Sequence, residues 1–194
     1  MNRLEEQLHS AGLEVVDHCE RLATYSPDLL EHSPLLEDFT AAEADVLAAS
    51  MLLVRAAPGQ VLIREGDAGD WMMLILKGTV DVTKRIELRA DDADAPVAGA
   101  IAEPRAPEFT ESRVAVLQRG AAIGEMSMLD SGLRYTTCTA IEAVEAGILG
   151  SHAIGLLIRD HPAVGAKLLV KITQLMAQRL RNISNQLVKV LQKA

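Results

Sequence analysis

The chain has 194 residues, of which 49% are hydrophobic and 24% are charged. These are ordinary values for a globular domain with a real core, and they exclude a disordered or collagen-like chain. The 19 basic and 27 acidic residues give a net charge of −8, and only 3% of residues are aromatic. Because such a chain is poorly suited to wrapping DNA or stacking single-stranded bases, we expect one ordinary globular domain with helical extensions.

The positions of the cysteines and the residues of the N-terminus exclude further classes of protein. Cys19 and Cys138 lie far apart and form no CxxC pair, which excludes a disulfide scaffold, a structural zinc site and a cysteine-ligated iron–sulfur cluster. The N-terminus lacks an apolar stretch behind a basic start, and the apolar run at 71–76 is far shorter than a membrane span. We therefore expect a cytoplasmic protein without a signal peptide or membrane anchor.

The first 50 residues are leucine-rich and show helical spacing. Apolar residues that recur at a spacing of about three to four predict an amphipathic helix. These residues are Leu4, Leu8, Val15, Cys19 and Leu22. We assign residues 1–32 to an N-terminal helical extension. Thr40, with Glu43 three residues later, then predicts a capping box at the start of another helix.

From about residue 52 to residue 149 the pattern changes to short apolar runs separated by glycine turns. The runs that predict strands are 61–63, 72–76, 80–82 and 114–117. Short strands with a turn every eight to twelve residues or so are typical of a barrel or jelly roll. Residues 89–112 are rich in Ala, Asp and Pro, and we predict an insertion loop between two paired strands there. We place this β domain, with its preceding helix, at residues 33–160.

The last third of the chain, residues 161–194, is predicted to be one long helix that begins near Pro162, since proline is favoured in a first helical turn. One apolar stripe has heptad spacing, which predicts pairing with a second copy of the helix. Its members are Ala166, Leu169, Thr173, Met176, Leu180, Ile183, Leu187 and Val190. A second stripe is predicted to pack on the β domain and consists of Leu168, Ile172 and Leu175.

This helix is basic throughout and carries no acidic residue. Its cations are Lys167, Lys171, Arg179, Arg181, Lys189 and Lys193. Two interpretations are open. The cations form either a solvated face that complements the acidic N-terminal region, or a surface for a membrane or an acidic partner.

Residues 124–134 are the most informative stretch of the sequence. Gly124 allows a tight turn and a close approach of the backbone to a ligand. The residues after it can form one helical turn, whose free N–H groups make an anion site. Arg134 offers a planar fork of donors suited to phosphate, and Glu125 supplies an acceptor for a sugar hydroxyl. Together these features suggest a site for a nucleotide with one phosphate.

Over about residues 33–190 the chain resembles a cyclic nucleotide-binding domain. The resemblance rests on Ser33-Pro34-Leu35-Leu36, on 58–70 as a strand and glycine turn, on 72–80 as the next hairpin, and on 124–134 as the phosphate-binding cassette. It implies an α+β fold in which an eight-stranded β jelly roll, or double-stranded β-helix, is flanked by N-terminal helices and a long C-terminal dimerisation helix. The implied ligand is cyclic AMP or cyclic GMP, with no metal.

By this resemblance, Arg134 clamps the cyclic phosphate and Glu125 holds the ribose 2′-hydroxyl. Backbone N–H groups around Met126 and Ser127, after the turn at Gly124, complete the anion site. We expect Arg134 to be exposed in the cassette and to contribute little to the core. Two structural alternatives remain. The arginine pairs with a nearby carboxylate such as Asp130, or the glutamate caps the helical turn that follows it.

Two positions depart from the family pattern. The family usually places a small residue directly after the arginine, whereas this chain has Tyr135 followed by Thr136. The phenol either stacks on the ligand or fills its space. The C-terminal helix resembles the dimer helix of the catabolite activator branch, in which two successive hydroxyl residues read the adenine. Ile183 and Ser184 occupy those places, so Ser184 is the candidate for reading a base edge.

Two functions follow. In the first, the protein is a cytoplasmic regulatory module that binds a cyclic nucleotide, cyclic AMP in preference to cyclic GMP. It relays occupancy through its C-terminal helix to a dimer or a partner protein. In the second, the fold is degenerate, binds no nucleotide and acts as a homodimeric interaction scaffold. If the ring of Tyr135 occupies the phosphate site, the scaffold is favoured. Because the chain has a net charge of −8 and ends without a helix-turn-helix, we expect no direct DNA binding. We also expect no membrane binding.

Enzymatic functions lack their usual residues. All five histidines lie outside 52–149, so a cupin-type metal centre inside the barrel has no imidazole ligands. The sequence contains no nucleophile elbow and no Walker or dinucleotide-binding glycine pattern. Cys138 lies in an apolar strand and is predicted to be a core residue. We therefore expect that the protein is not an enzyme.

Overall fold

The computed structural model describes residues 3–25, 28–88 and 108–192. Within these residues the chain forms seven helices and nine strands. In chain order they are α1 (Arg3–Ser10), β1 (Glu14–His18), α2 (Leu22–Tyr25), α3 (Leu29–His32), α4 (Ala41–Ala49), β2 (Leu52–Ala56), β3 (Val61–Ile63), β4 (Trp71–Lys77), β5 (Thr79–Leu88), β6 (Glu108–Gln118), β7 (Ala122–Ile123), α5 (Glu125–Asp130), β8 (Thr137–Ala140), β9 (Val144–Gly150), α6 (Ser151–Asp160) and α7 (Pro162–Leu191).

The strands form two antiparallel sheets. The first has the order β1-β2-β9-β4-β7, and the second has the order β3-β8-β5-β6. One hydrophobic cluster lies between the sheets and includes Val54 and Ile148 from the first, with Val80 and Cys138 from the second. A second cluster joins the other face of the first sheet to the helices. The fold therefore has three layers, and the first sheet is the middle one.

Strand β4 shows this three-layer arrangement most clearly. Every residue from Trp71 to Leu76 is buried. Trp71, Met73 and Ile75 belong to the cluster between the sheets. Their neighbours Met72 and Leu74 belong to the cluster under the helices. Because alternate side chains of a strand point to opposite faces, a strand covered on both sides reads as a continuous apolar run.

The N-terminal segment differs from the predicted helix. Helix α1 ends at Ser10, and Gly12 has a φ of +74°, a left-handed conformation that stops the helix. The β-branched Val15 and Val16 then lie in β1, which pairs antiparallel with β2. Residues 1–32 are thus not a purely helical extension. Since β1 adds a strand to the first sheet, the described residues form nine strands rather than eight.

Strands β3, β4, β5 and β6 include the four predicted runs. The capping box of α4 is present, with Thr40 accepting from the backbone of Glu43. The β5–β6 hairpin is longer than predicted, because its pairing continues to Leu88 opposite Glu108. Residues 108–112 are therefore strand and not loop, and residues 89–107 of the predicted insertion lie outside the described residues.

Helix α7 begins at Pro162, as predicted, and its two halves have different surroundings. Leu168 and Ile172 are fully buried against the β domain. Farther along, Leu180, Ile183 and Leu187 of the predicted seam are each more than half exposed. In the described part of the chain, no helix combines the length and apolar character needed to cross a membrane.

The cations on the first half of α7 are used within the chain. Lys167 contacts both carboxylate oxygens of Glu43, at 2.7 and 2.6 Å. Lys171 is buried and pairs with Glu37, at 2.8 Å, and with Asp38. For this half, the acids of α4 and of the turn before it complement the cations, as in the first interpretation, but Lys171 is buried rather than solvated.

Candidate functional site

The cassette, residues 124–136, begins at the turn between β7 and α5. Gly124 has a φ of +82°, and a Cβ atom there would lie 2.7 Å from Nη1 of Arg134. A Cβ at Gly69, on the loop before β4, would overlap Nη2 of the same arginine. Glycine at these two positions leaves the space that the guanidinium occupies.

Arg134 is buried rather than exposed, with 4% of its surface accessible, so the sequence expectation was wrong. Its Nη1 donates to the carbonyl of Gly124 at 2.8 Å and to Oγ of Ser127 at 2.7 Å. Its guanidinium lies 4.2 Å from the centre of the Trp71 ring. Burial lowers the pKa of Arg134 to about 10, so the group still carries its charge at neutral pH.

The backbone around Arg134 is tied to the loop before β4. The N–H of Arg134 donates to the carbonyl of Asp67 at 2.8 Å, and the N–H of Gly66 donates to the carbonyl of Arg134 at 2.9 Å. Ala68 and Leu133 form an isolated antiparallel bridge. Arg134 therefore precedes β8 on a short paired segment, and its side chain is directed between this loop and α5.

Glu125 is the first residue of α5 and is 1% exposed. Its Oε1 accepts from Nη1 of Arg179 on α7, whose Nη2 donates to the carbonyl of Ala122. Glu125 therefore pairs with α7, whereas the N-cap of α5 is Gly124. In the sequence Arg179 is one of several cations of α7, and no local pattern marks Glu125, 54 positions away, as its partner.

Two buried polar atoms of this site have no hydrogen-bond partner within the described part of the chain. They are Nη2 of Arg134, a donor, and Oε2 of Glu125, an acceptor. Buried polar groups are nearly always paired, because leaving one unpaired costs about 1–3 kcal/mol. Nη2 of Arg134 and Oε2 of Glu125 are therefore a donor and an acceptor that the described residues leave unsatisfied.

The ring of Tyr135 does not cover the Arg134 guanidinium. Tyr135 is 63% exposed, and Nζ of Lys84 lies 4.0 Å from its ring centre. The same Nζ donates to the carbonyl of Tyr135 at 2.8 Å and to Oε1 of Glu65 at 2.8 Å. These contacts hold the phenol on the outside of the cassette.

The remaining predicted residues take different positions. Ser127 is buried beside Arg134, whereas Met126 is exposed. Thr136 is half-buried, and Ser184 is exposed on α7, about 7.5 Å beyond Arg179 along the helix axis. The structure thus brings Gly124, Glu125, Ser127 and Arg134 together, and leaves Ser184 on the outer part of the helix.

The structure also bears on the expectations for Asp130 and Cys138. Asp130 accepts from the N–H of Gly132 at 2.8 Å, while the hydrogen bonds from Nη1 of Arg134 go to the uncharged oxygens of Gly124 and Ser127. Cys138 is a core residue, as predicted, and burial raises the pKa of its thiol to about 11. In the described ranges, no group of His, Cys, Asp and Glu is arranged to hold a metal ion.

Comparison with known proteins gives one consistent result. No protein-family model matches the chain. A crystal structure of a cyclic nucleotide-binding domain from Methylobacillus flagellatus superposes with a TM-score of 0.68 at 27% identity, covering 90% of this chain and 88% of that one. A CRP-like cAMP-activated global transcriptional regulator from Mycobacterium tuberculosis is 26% identical over 133 residues, which are 69% of this chain and 49% of the relative.

A cAMP-dependent protein kinase regulatory subunit from Yarrowia lipolytica is 27% identical over 129 residues, which are 66% of this chain and 28% of that protein. The chain therefore spans half or less of the length of these curated relatives. Together with the two antiparallel sheets, the cassette and the long final helix, these similarities show the fold of a cyclic nucleotide-binding domain. Domains of this kind occur in the CRP-like regulator and in the protein kinase A regulatory subunit that the chain is similar to.

Proposed function

We propose that this chain binds a cyclic nucleotide, with cyclic AMP preferred, in the cassette between α5 and the loop before β4. The observation that carries the proposal is the pair of buried, unpartnered atoms, Nη2 of Arg134 and Oε2 of Glu125. An anionic phosphate oxygen accepts from the first, and the ribose 2′-hydroxyl donates to the second.

The charges of the site support the same ligand class. Arg134 is a buried cation, and the carboxylates of Asp70, Glu125 and Asp67 favour its charge. A cyclic phosphodiester carries one negative charge and pairs directly with the guanidinium where water is excluded. The backbone N–H groups at the start of α5, near Met126 and Ser127, supply further donors for the phosphate.

The contact between Arg179 and Glu125 is the proposed route from the ligand to α7. A ribose hydroxyl on the carboxylate changes the acceptor that Arg179 binds, and Arg179 belongs to the helix that carries the exposed seam. Occupancy is relayed only if the ligand binds one position of α7 more tightly than another. Ser184, farther along the helix, is proposed to meet the base edge in the ligand-bound position.

We place the dimer contact on the exposed seam of residues 161–194, and the ligand-binding unit at residues 33–160. Leu180, Ile183 and Leu187 present an apolar stripe at helical spacing, which is the pattern of a helix that pairs with its own copy. A homodimer joined at these helices places both cassettes next to the shared seam. The partner that reads this dimer is proposed to be another protein, with no DNA or membrane contact by this chain.

Calorimetric titration of the full chain with cyclic AMP and, in parallel, with cyclic GMP tests the proposal. Saturable heat at micromolar ligand supports it, and the ratio of the two dissociation constants gives the base preference. Arg134→Met, which keeps the length of the side chain and removes its charge, is expected to abolish that heat. Linear 5′-AMP, which keeps the base and the sugar but lacks the cyclic ester, is the control for ring closure. If folded protein gives no heat with millimolar cyclic nucleotide, the interaction scaffold replaces this function.

A further inference from the structure

Trp71 begins β4 and lies directly beneath the cassette. It is 4% exposed and belongs to the cluster between the sheets. The centre of its ring is 4.2 Å from the guanidinium carbon of Arg134. This is well inside the range of about 6 Å over which a cation is attracted to the face of an aromatic ring. Trp71 is also the single tryptophan of the chain.

The contact between Trp71 and Arg134 is electrostatic as well as steric. The two hydrogen bonds from Nη1 go to uncharged oxygens, those of Gly124 and Ser127, while Nη2 has no partner in the described residues. A buried cation in such surroundings is costly unless another group compensates for its lost hydration. The carboxylates of Asp70, Glu125 and Asp67 favour the charge electrostatically. The negative face of the indole ring adds an attraction at contact distance, which an aliphatic side chain of similar size lacks.

The ring also limits the movement of the guanidinium. The group lies over Trp71 and is bonded at Nη1, and Nη2 is the donor left over. A donor held ready in this way binds an anion with less loss of conformational freedom than a free arginine does.

We infer that Trp71 is a positioning residue for Arg134, which holds the guanidinium ready for the phosphate and changes its fluorescence when the anion arrives. The part of this inference that concerns the anion rests on the proposed function. The contact between ring and cation in the ligand-free protein does not.

The first experiment uses no ligand. The emission spectrum of Trp71 is recorded for the wild-type protein and for Arg134→Met, both shown to be folded by circular dichroism. A cation against the ring perturbs its emission, so we expect a change in intensity or wavelength when the charge is removed. Superimposable spectra would overturn the inference, whether or not the protein binds a nucleotide.

The second experiment measures cyclic AMP affinity by calorimetry in three variants. Trp71→Leu is expected to weaken binding by roughly 2- to 30-fold, the range that corresponds to loss of one cation–π contact. Trp71→Phe keeps a ring face and is expected to rescue most of this loss. Ile75→Val, in the same strand and cluster, removes core volume away from Arg134 and is expected to leave affinity unchanged.

These outcomes separate the two proposals. Wild-type protein that binds no cyclic nucleotide contradicts the proposed function and leaves the ligand-free spectra to decide on the contact. Wild-type protein that binds, together with Trp71→Leu that binds equally well, overturns the positioning role. Equal losses in Trp71→Leu and Ile75→Val also overturn it, since they would show a general effect of the core. If Trp71→Leu does not fold, Trp71→Phe and the spectra carry the test.

Discussion

The two halves of α7 are made from similar residues but lie in opposite environments. In the first half, Leu168 and Ile172 are fully buried and Lys171 is buried with two carboxylates. In the second half, Ile183 and Leu187 are exposed although they are equally apolar. The boundary is near Arg179, the residue that touches the cassette. One helix thus has a part that belongs to the core and a part that is available for a partner, and the candidate ligand site is at their junction.

The largest expected effect is a difference in stability between the two halves of α7 when one isoleucine in each is replaced by alanine. Ile172→Ala is expected to lower the free energy of unfolding by about 2–5 kcal/mol, because it leaves a cavity in a packed core. Ile183→Ala is expected to change the unfolding of the monomer by less than about 0.5 kcal/mol. Urea denaturation at low protein concentration measures both values. Similar losses from the two variants would contradict the division of the helix.

The next largest effect is expected for the ion pair between Arg179 and Glu125, where the two halves of α7 meet. Arg179→Gln leaves the carboxylate of Glu125 buried without its cation, which is expected to cost about 1–3 kcal/mol. The value is below that for a fully buried pair, because Arg179 is partly exposed. Arg181→Gln, two residues away, is the matched control, since its guanidinium contacts only the exposed Gln178 among the described residues. Equal effects on thermal unfolding would show that the ion pair does not matter.

The smallest effect is a dependence on pH at the first half. Hydrogen bonds from Lys167, and from Thr40, lower the pKa of Glu43 from 4.5 to about 2. Because the folded state favours the charged form, the stabilisation is complete above pH 4.5 and is lost as the pH falls toward 2. Glu43→Gln is therefore expected to be less stable than the wild type at pH 7 and to lose that difference in acid.

Thermal unfolding of both proteins across this range gives the difference directly. Glu14→Gln, at an exposed position on β1, is the control, and its effect is expected to stay within about 0.5 kcal/mol throughout. If the stability difference between Glu43→Gln and the wild type is the same at neutral pH and at the lower end of the range, the charged form of Glu43 is not its source.

The features that the sequence predicted well depend on neighbouring residues. The capping box at Thr40 and Glu43 is a local motif, and the apolar runs of β3 and β4 are bounded by glycine turns that end each strand. The inner stripe of α7 follows from helical spacing alone. In each case the physical cause lies within a few residues of its effect.

The features that it missed depend on residues far apart in the chain. The apolar spacing around Val15 fits a helix, and only pairing with β2, more than 30 residues later, makes that segment a strand. The contact of Glu125 with Arg179 joins residues 54 positions apart. The burial of Arg134 depends on Trp71 and on the space left by Gly69. None of these is encoded in a local pattern.

The position of β4 has a consequence for how the domain unfolds. Its side chains alternate between the two hydrophobic clusters, with Met73 in one and Leu74 in the other. If either cluster becomes disordered, β4 loses the contacts on one of its faces. The other cluster then loses the strand against which it packs. We therefore expect one cooperative transition, with the amides of β4 among the last in the chain to exchange with solvent.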